Sequence, residues 1–293
     1  MKGFSWVLPL SGSFVREIKS LAKLNSPRKF YIYATFVGLL AGAIGALFTY
    51  LLVKIETLVF LPLTGVDIGE SISEGVRHQP TYNPYWILAL PVLGGVISGW
   101  IVQKFDEKAA GGGTDTMIYA YHEEQGKVHW KTPLVKFFAT LATLGSGGSG
   151  GKEGPIAQVG SGIGSFFAQK MKFGAKATRS LFLAGMAGAL GAVFLTPLGA
   201  AVTAVEVIYK EDFESEALLP SILASVAGYF IYTFFYGIHV VFHLPESSFH
   251  NWSELLVYVL LGVVTFVFGW FFVKLYKFVL YRSRKSKLPL WLR

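Results

Sequence analysis

The chain contains no cysteine, which excludes disulfides and any thiolate metal site. Charge is scarce as well. Asp, Glu, Lys and Arg supply only 15% of the 293 residues, against about 25% in soluble domains. Acid is the scarcer sign, with 18 Asp and Glu against 26 Lys and Arg, for a net charge of +8. The excess base flanks apolar runs, as the positive-inside rule expects, which argues against nucleic acid as a partner. No Cys ligand, His pair or nucleophile–base constellation supports a membrane enzyme, a metal or any other cofactor. His122 and His129 stand seven apart beside a loop of mixed charge, and read as solvated loop residues.

What the chain has in quantity is apolar sequence. Residues 30–53, 180–205, 217–245 and 255–273 carry no Asp, Glu, Lys or Arg, and a weaker run covers 85–103. A transmembrane helix needs about 20 mostly apolar residues. The pattern predicts an all-α, polytopic transmembrane protein of the plasma or inner membrane. The first run opens at Phe30, too late and too long for the apolar region of a signal peptide.

Three regions follow. Residues 1–29 hold six Lys or Arg and one Glu, with Phe14, Ile18, Leu21 and Leu24 at helical spacing. They read as a cytoplasmic interfacial helix, with a frayed basic tail as the alternative. Residues 30–281 form the membrane domain. Residues 282–293, RSRKSKLPLWLR, form a basic tail, so both termini are expected in the cytoplasm. Gly38, Gly42 and Gly45 predict close helix packing. Thr196-Pro197 should split its run into two short helices, because proline cannot donate the i→i−4 bond. Backbone broken at membrane depth must be buried in protein or line a polar cavity.

The stretch GSGGSGGKEGP, 145–155, admits three readings. Its GxGxxG match needs a preceding strand and an acid about 20 residues on. A membrane-type segment precedes it instead, and no Asp or Glu lies between Glu153 and Glu206. A Walker A loop fails too, since Ser146 stands where Gly is required and Glu153 where Ser or Thr is required. Helix packing explains the small residues but not Lys152 and Glu153, and an ionisable group inside a membrane segment suggests function. In the third reading, Pro155 sits at or near the first position of a new helix. The unpaired N–H groups of that helix would attract an anion. Glu153 would be a tethered carboxylate competing for the same place, released by protonation, and therefore a gate.

Here the residues resemble a known family. GKEGP, 151–155, is similar to the signature of the CLC chloride channels and chloride/proton antiporters. AGMAGALGAVFLTPLGAAVTAVEV, 184–207, resembles that family's next two helices. GGGTD, 111–115, falls where the family has its first anion-coordinating signature, Gly-Ser-Gly-Ile-Pro. The order and spacing agree from about residue 30 to 280.

The resemblance implies a fold with broken and re-entrant helices, half of an inverted repeat. It implies that Glu153 is the gating and proton-carrying glutamate. It also implies that the backbone amides of Gly151, Lys152, Glu153 and Gly154 form the external anion site, and that Gly112, Gly113 and Thr114 contribute an inner one. Lys152 would raise the local potential, with snorkelling to the interface as the alternative. Gly112 departs from the family's serine, and Asp115 stands where the family has proline. Asp115 reads as the N-cap of the short helix. Glu206 matches an internal acid, or is a solvated acid at a helix end. Val207 takes the place of the family's internal proton glutamate, which is the channel pattern. The chain matches only the first half of the family core and the start of the second.

The reading placed first is therefore a voltage- or proton-gated chloride channel, incomplete as this chain alone. A chloride/proton antiporter is one alternative. A non-conducting half-subunit or scaffold needing a second chain is another. The implied ligands are chloride and protons, in a lipid bilayer. The implied assembly is a homodimer through the helices near 198–210 and 217–237.

Overall fold

The computed structural model describes residues 27–67, 77–78, 83–209, 212, 214–238, 252 and 254–292. The amphipathic segment expected before residue 27, and much of the loop expected outside at 62–84, lie beyond those residues. Helix α1, Pro27–Ile55, takes up the first charge-free run. It continues through a π-helical turn, Glu56–Phe60, and a last turn, Leu61–Thr64. Gly65 ends it at φ 69°, with its N–H on Leu61 O at 2.8 Å. Glycine adopts that left-handed conformation without a Cβ penalty. A two-residue antiparallel ribbon, β1 (Val66–Asp67) with β2 (Arg77–His78), follows.

Helix α2, Pro84–Phe105, is capped by Asn83, whose side chain accepts the Tyr85 N–H at 3.1 Å. The remaining helices are α3 (Thr114–His122), α4 (Lys131–Gly145), α5 (Glu153–Lys170), α6 (Ala175–Phe194), α7 (Pro197–Glu206), α8 (Ser215–Tyr236) and α9 (Glu254–Lys285). Among the described residues, α1, α2, α6, α8 and α9 are long and apolar enough to cross a membrane. Each coincides with one expected run. Helices α3, α4 and α7 have 9, 15 and 10 residues. At 1.5 Å per residue none spans a core of about 30 Å.

The break at Thr196-Pro197 is where the sequence put it. Helix α6 ends at Phe194, Leu195 turns left-handed at φ 55°, and Pro197 opens α7. The tail does not hang free. Its single 3-10 turn, Leu290–Leu292, returns to α2, and the Leu290 N–H donates to Gln103 Oε1 at 2.9 Å.

Helix α6 is the centre of the bundle, with Leu181, Phe182, Leu183 and Ala184 fully buried between α5, α1 and α8. Small residues make that possible. A Cβ at Gly38 would overlap the Ala224 backbone, and one at Gly185 would overlap Gly160 O. Replacing Gly185 by Leu should therefore cost about 3 kcal/mol or more in a thermal or denaturant unfolding series. The same change at Gly262 on α9, where nothing lies within 4 Å, should be within about 0.5 kcal/mol of neutral. Equal effects at the two sites would count against close packing as the reason for glycine.

Candidate anion site

Two glycine turns start the helices of the site. In GGGTD, Gly111 and Gly113 adopt φ 76° and 99°, where a Cβ would clash with the backbone. Gly113 is thereby the last non-helical residue and the N-cap of α3. Asp115 is not the cap, contrary to expectation. It already lies inside the first turn, because the left-handed glycine turn ends one residue before Thr114.

The stretch 145–155 has two parts. Gly147, at φ 84°, donates to Leu144 O at 2.9 Å, and Gly148 donates to Thr143 O at 2.9 Å. That is the end of α4, satisfying its last carbonyls. The second part opens α5, which starts at Glu153 rather than beside Pro155. Ile156 is the first internal donor, to Lys152 O at 3.0 Å. Pro155, third in the helix, gives up no bond there, since first-turn N–H groups have no internal acceptor. Glu153 and Gly154 present such groups.

These stretches meet. Gly154 lies against Gly112, so that a Cβ there would overlap Gly112 O and come within 3.4 Å of Thr114 Oγ1. A cavity of about 370 Å³ opens beside them. Thr114 of α3, Glu153 and Gly154 of α5, and Thr196 and Gly199 at the start of α7 all line it. Three helix N-termini thus point into one space. Each carries roughly half a positive charge, and none is capped by a side chain. Glu153 is exposed, and its carboxylate folds back over Gly151, where a Cβ would collide with Oε2. Lys152 leans over the cavity wall, its Nζ 5.8 Å from the Phe194 ring centre.

Of the expected site residues, Gly112–Thr114 and Gly151–Gly154 are brought together. Glu206 is not. It is the exposed last residue of α7, and Val207 lines the cavity in its stead. His122 and His129 form no cluster, and among the described residues no group of three or more His, Asp or Glu is placed to hold a metal. His122 Nε2 lies 2.8 Å from Ile208 O.

Two residues were missed. Lys136, in the middle of α4, is 4% exposed. Its Nζ is bonded to Ala109 O at 3.2 Å and to Gly111 O, with no carboxylate partner among the described residues. It ties the glycine turn of α3 to α4 and leaves a positive charge behind the cavity. The signal was one lysine in the otherwise apolar TPLVKFFATLATL, where an ionised group is costly. Gln158 is 2% exposed, and its Oε1 has no partner. That atom would lie 2.9 Å from a Cβ at Gly113.

The arrangement, a membrane bundle whose broken helices aim their N-termini at one cavity, has known relatives. The family profile described as "Voltage gated chloride channel" matches residues 94–293. The chain belongs to this family, the CLC family. It is a family of membrane transport proteins, and with its long apolar helices the protein is an integral membrane protein. The chain is similar to the H(+)/Cl(-) exchange transporter ClcA of Vibrio cholerae serotype O1, 27% identical over 254 residues, covering 85% of this chain and 52% of that protein. It is 28% identical over 203 residues to the uncharacterized protein MJ0305 of Methanocaldococcus jannaschii, covering 69% of this chain and 50% of that one.

Two solved structures share the CLC fold. One is a slow cyanobacterial Cl-/H+ antiporter, with a TM-score of 0.70 at 22% identity over 91% of this chain and 61% of that one. The other is a CLC-type fluoride/proton antiporter, with a TM-score of 0.71 at 24% identity over 90% and 61%. The chain spans about half the length of the curated relatives it matches.

Proposed function

We propose that the protein exchanges chloride for protons across its membrane, with Glu153 as the gate. The carrying observation is the cavity onto which three helix N-termini open, with a tethered carboxylate at one of them. Ionised, Glu153 competes with a free anion for the N–H groups of Gly151 to Gly154. Protonated, it loses that attraction and gives up the place to chloride, which reaches the inner position beside Gly112, Gly113 and Thr114. One carboxylate then serves proton and anion in turn, so the two move in opposite directions. Lys136 and Lys152 raise the potential around both positions.

The sequence put the channel reading first, on the strength of Val207. The curated ClcA relatives are named exchange transporters, and this favours exchange. With both termini in the cytoplasm, the basic turn from Lys170 to Arg179 faces inward. The homodimer would use α7 and α8, which expose Leu198, Val202 and Phe230.

A second reading rests on length. A chain spanning about half of its relatives fits a half-subunit completed by a second chain. Chloride efflux from liposomes holding the purified protein, with external pH recorded alongside, separates these. Efflux with a rise in external pH is the expected result. Efflux at constant pH would mean a channel. No efflux would mean that a second chain is needed.

A further inference from the structure

The floor of the cavity is Met117 of α3 and Val207 at the end of α7. One helical turn past Met117 on α3 stands Tyr121, which is 1% exposed. Its hydroxyl donates to Glu214 Oε2 at 2.6 Å. Tyr209, two residues past Val207, donates to the same oxygen at 2.9 Å. Glu214 itself is half-buried, and its N–H bonds Val205 O at 3.1 Å. A carboxylate and two phenols thus close on one another directly beneath the cavity, at the end opposite Glu153. Neither the expected site nor the mechanism above uses them.

We infer that Glu214 is the inner proton-holding group of the exchanger, with Tyr121 and Tyr209 as its positioning residues. This rests on the exchange reading. A proton bound for Glu153 from the inner side must pass a cavity floor of thioether and isopropyl groups, which hold no proton. Glu214 is the carboxylate fixed against that floor. From Thr114 to Tyr121, α3 advances about 10 Å. A cavity of about 370 Å³ holds roughly a dozen waters at ~30 Å³ each, enough to bridge that distance. The step balances simply. A proton from inner solution protonates Glu214, leaves it for a water of the cavity, and protonates the carboxylate of Glu153. The reverse transfer runs the reverse exchange.

The surroundings suit a group that is solvated from one side. Tyr121 and His122 face Glu214 from α3. Arg179 comes from α6, its guanidinium 5.4 Å from the Tyr121 ring centre and bonded to Tyr121 O at 3.0 Å and His122 O at 3.2 Å. Glu206 and Tyr209 come from the end of α7, and Asp212 and Glu216 flank Glu214 in the chain. Glu216 is itself paired with Lys176 at 2.5 Å. Burial raises the pKa of Tyr209 above the ordinary phenol value, and the bond to Glu214 adds to this. Tyr209 therefore remains a hydrogen-bond donor at neutral pH.

The test compares wild type, Glu214→Gln and Tyr121→Phe in liposomes, recording chloride efflux and proton uptake together, with thermal unfolding as the check on folding. In Glu214→Gln, chloride efflux should persist while proton uptake falls roughly 100-fold, the loss typical of a missing proton-transfer group. Tyr121→Phe, which leaves the carboxylate in place, should lower proton uptake by less. Unchanged proton uptake in Glu214→Gln overturns the assignment, and so does parallel loss of both fluxes in a normally folded variant.

If wild type moves chloride without protons, or moves neither, the exchange reading fails by itself and a second readout decides. Infrared difference spectra in lipid, taken between about pH 4 and pH 8, should show a titrating carboxyl band. That band should be present in wild type and Glu153→Gln, absent in Glu214→Gln, and shifted in Tyr121→Phe. The same bands in wild type and Glu214→Gln overturn the inference.

Discussion

Replacing Glu153 by Gln is expected to abolish proton movement and to leave a chloride efflux that no longer changes with pH. The amide has the shape of the protonated acid but neither binds nor releases a proton in the working range. It cannot compete as an anion for the first-turn N–H groups of α5, so the cavity mouth stays open to chloride at every pH. The carboxylate lies folded over Gly151, so the substitution needs no rearrangement of the turn. Loss of proton transfer by a positioned side chain is worth roughly 100-fold or more in rate. The measurement is the ratio of proton to chloride flux in liposomes across pH. A variant that still moves protons, or whose efflux keeps the wild-type pH dependence, would remove Glu153 from the mechanism.

Lys136→Met should weaken chloride binding about tenfold without unfolding the protein. The ammonium is buried behind the GGGTD turn and neutralised only by two carbonyl dipoles. For a unit charge about 10 Å away, at an effective dielectric of about 20, Coulomb's law gives ~1.7 kcal/mol, a little over tenfold in affinity. Part of the effect is structural, since Ala109 O and Gly111 O lose their donor, at a cost of about 1–3 kcal/mol of stability each. Lys136→Arg separates the two contributions. It keeps the charge and restores affinity if electrostatics dominates. Calorimetric titration of the purified protein with chloride reads the affinity directly. Equal affinity in Lys136→Met and wild type would make Lys136 a strut for the turn and nothing more.

Much of the architecture was legible in the residues. The expected spans appear as α1, α2, α6, α8 and α9, because a charge-free run of helix length in lipid has one satisfactory backbone conformation. The split at Thr196-Pro197 was legible for the same local reason. Helix starts were less so. Pro155 drew the expected start of α5 toward itself, and the observed start is Glu153, because proline is tolerated anywhere in a first turn that has no acceptors to lose. Asp115 read as a cap by residue type, yet Gly113 took that place, since the conformation of the glycine turn fixed the boundary.

What the sequence by itself determined is the solvent, the helices and the chemistry on offer: an integral membrane bundle, a glycine-flanked carboxylate, and a motif order similar to the CLC family. Those are properties of runs and neighbours, and local physics sets them. Only the tertiary structure decided what faces what. It set Gly112 against Gly154, which stand 42 residues apart. It placed the start of α7 on the same cavity and put Lys136 behind the turn of α3. It also brought Tyr121 to Glu214 across 93 residues. No local signal carries such pairings. They follow from glycines that let α5, α6, α1 and α8 approach until backbone meets backbone, and from the need to satisfy every polar group left where those helices break.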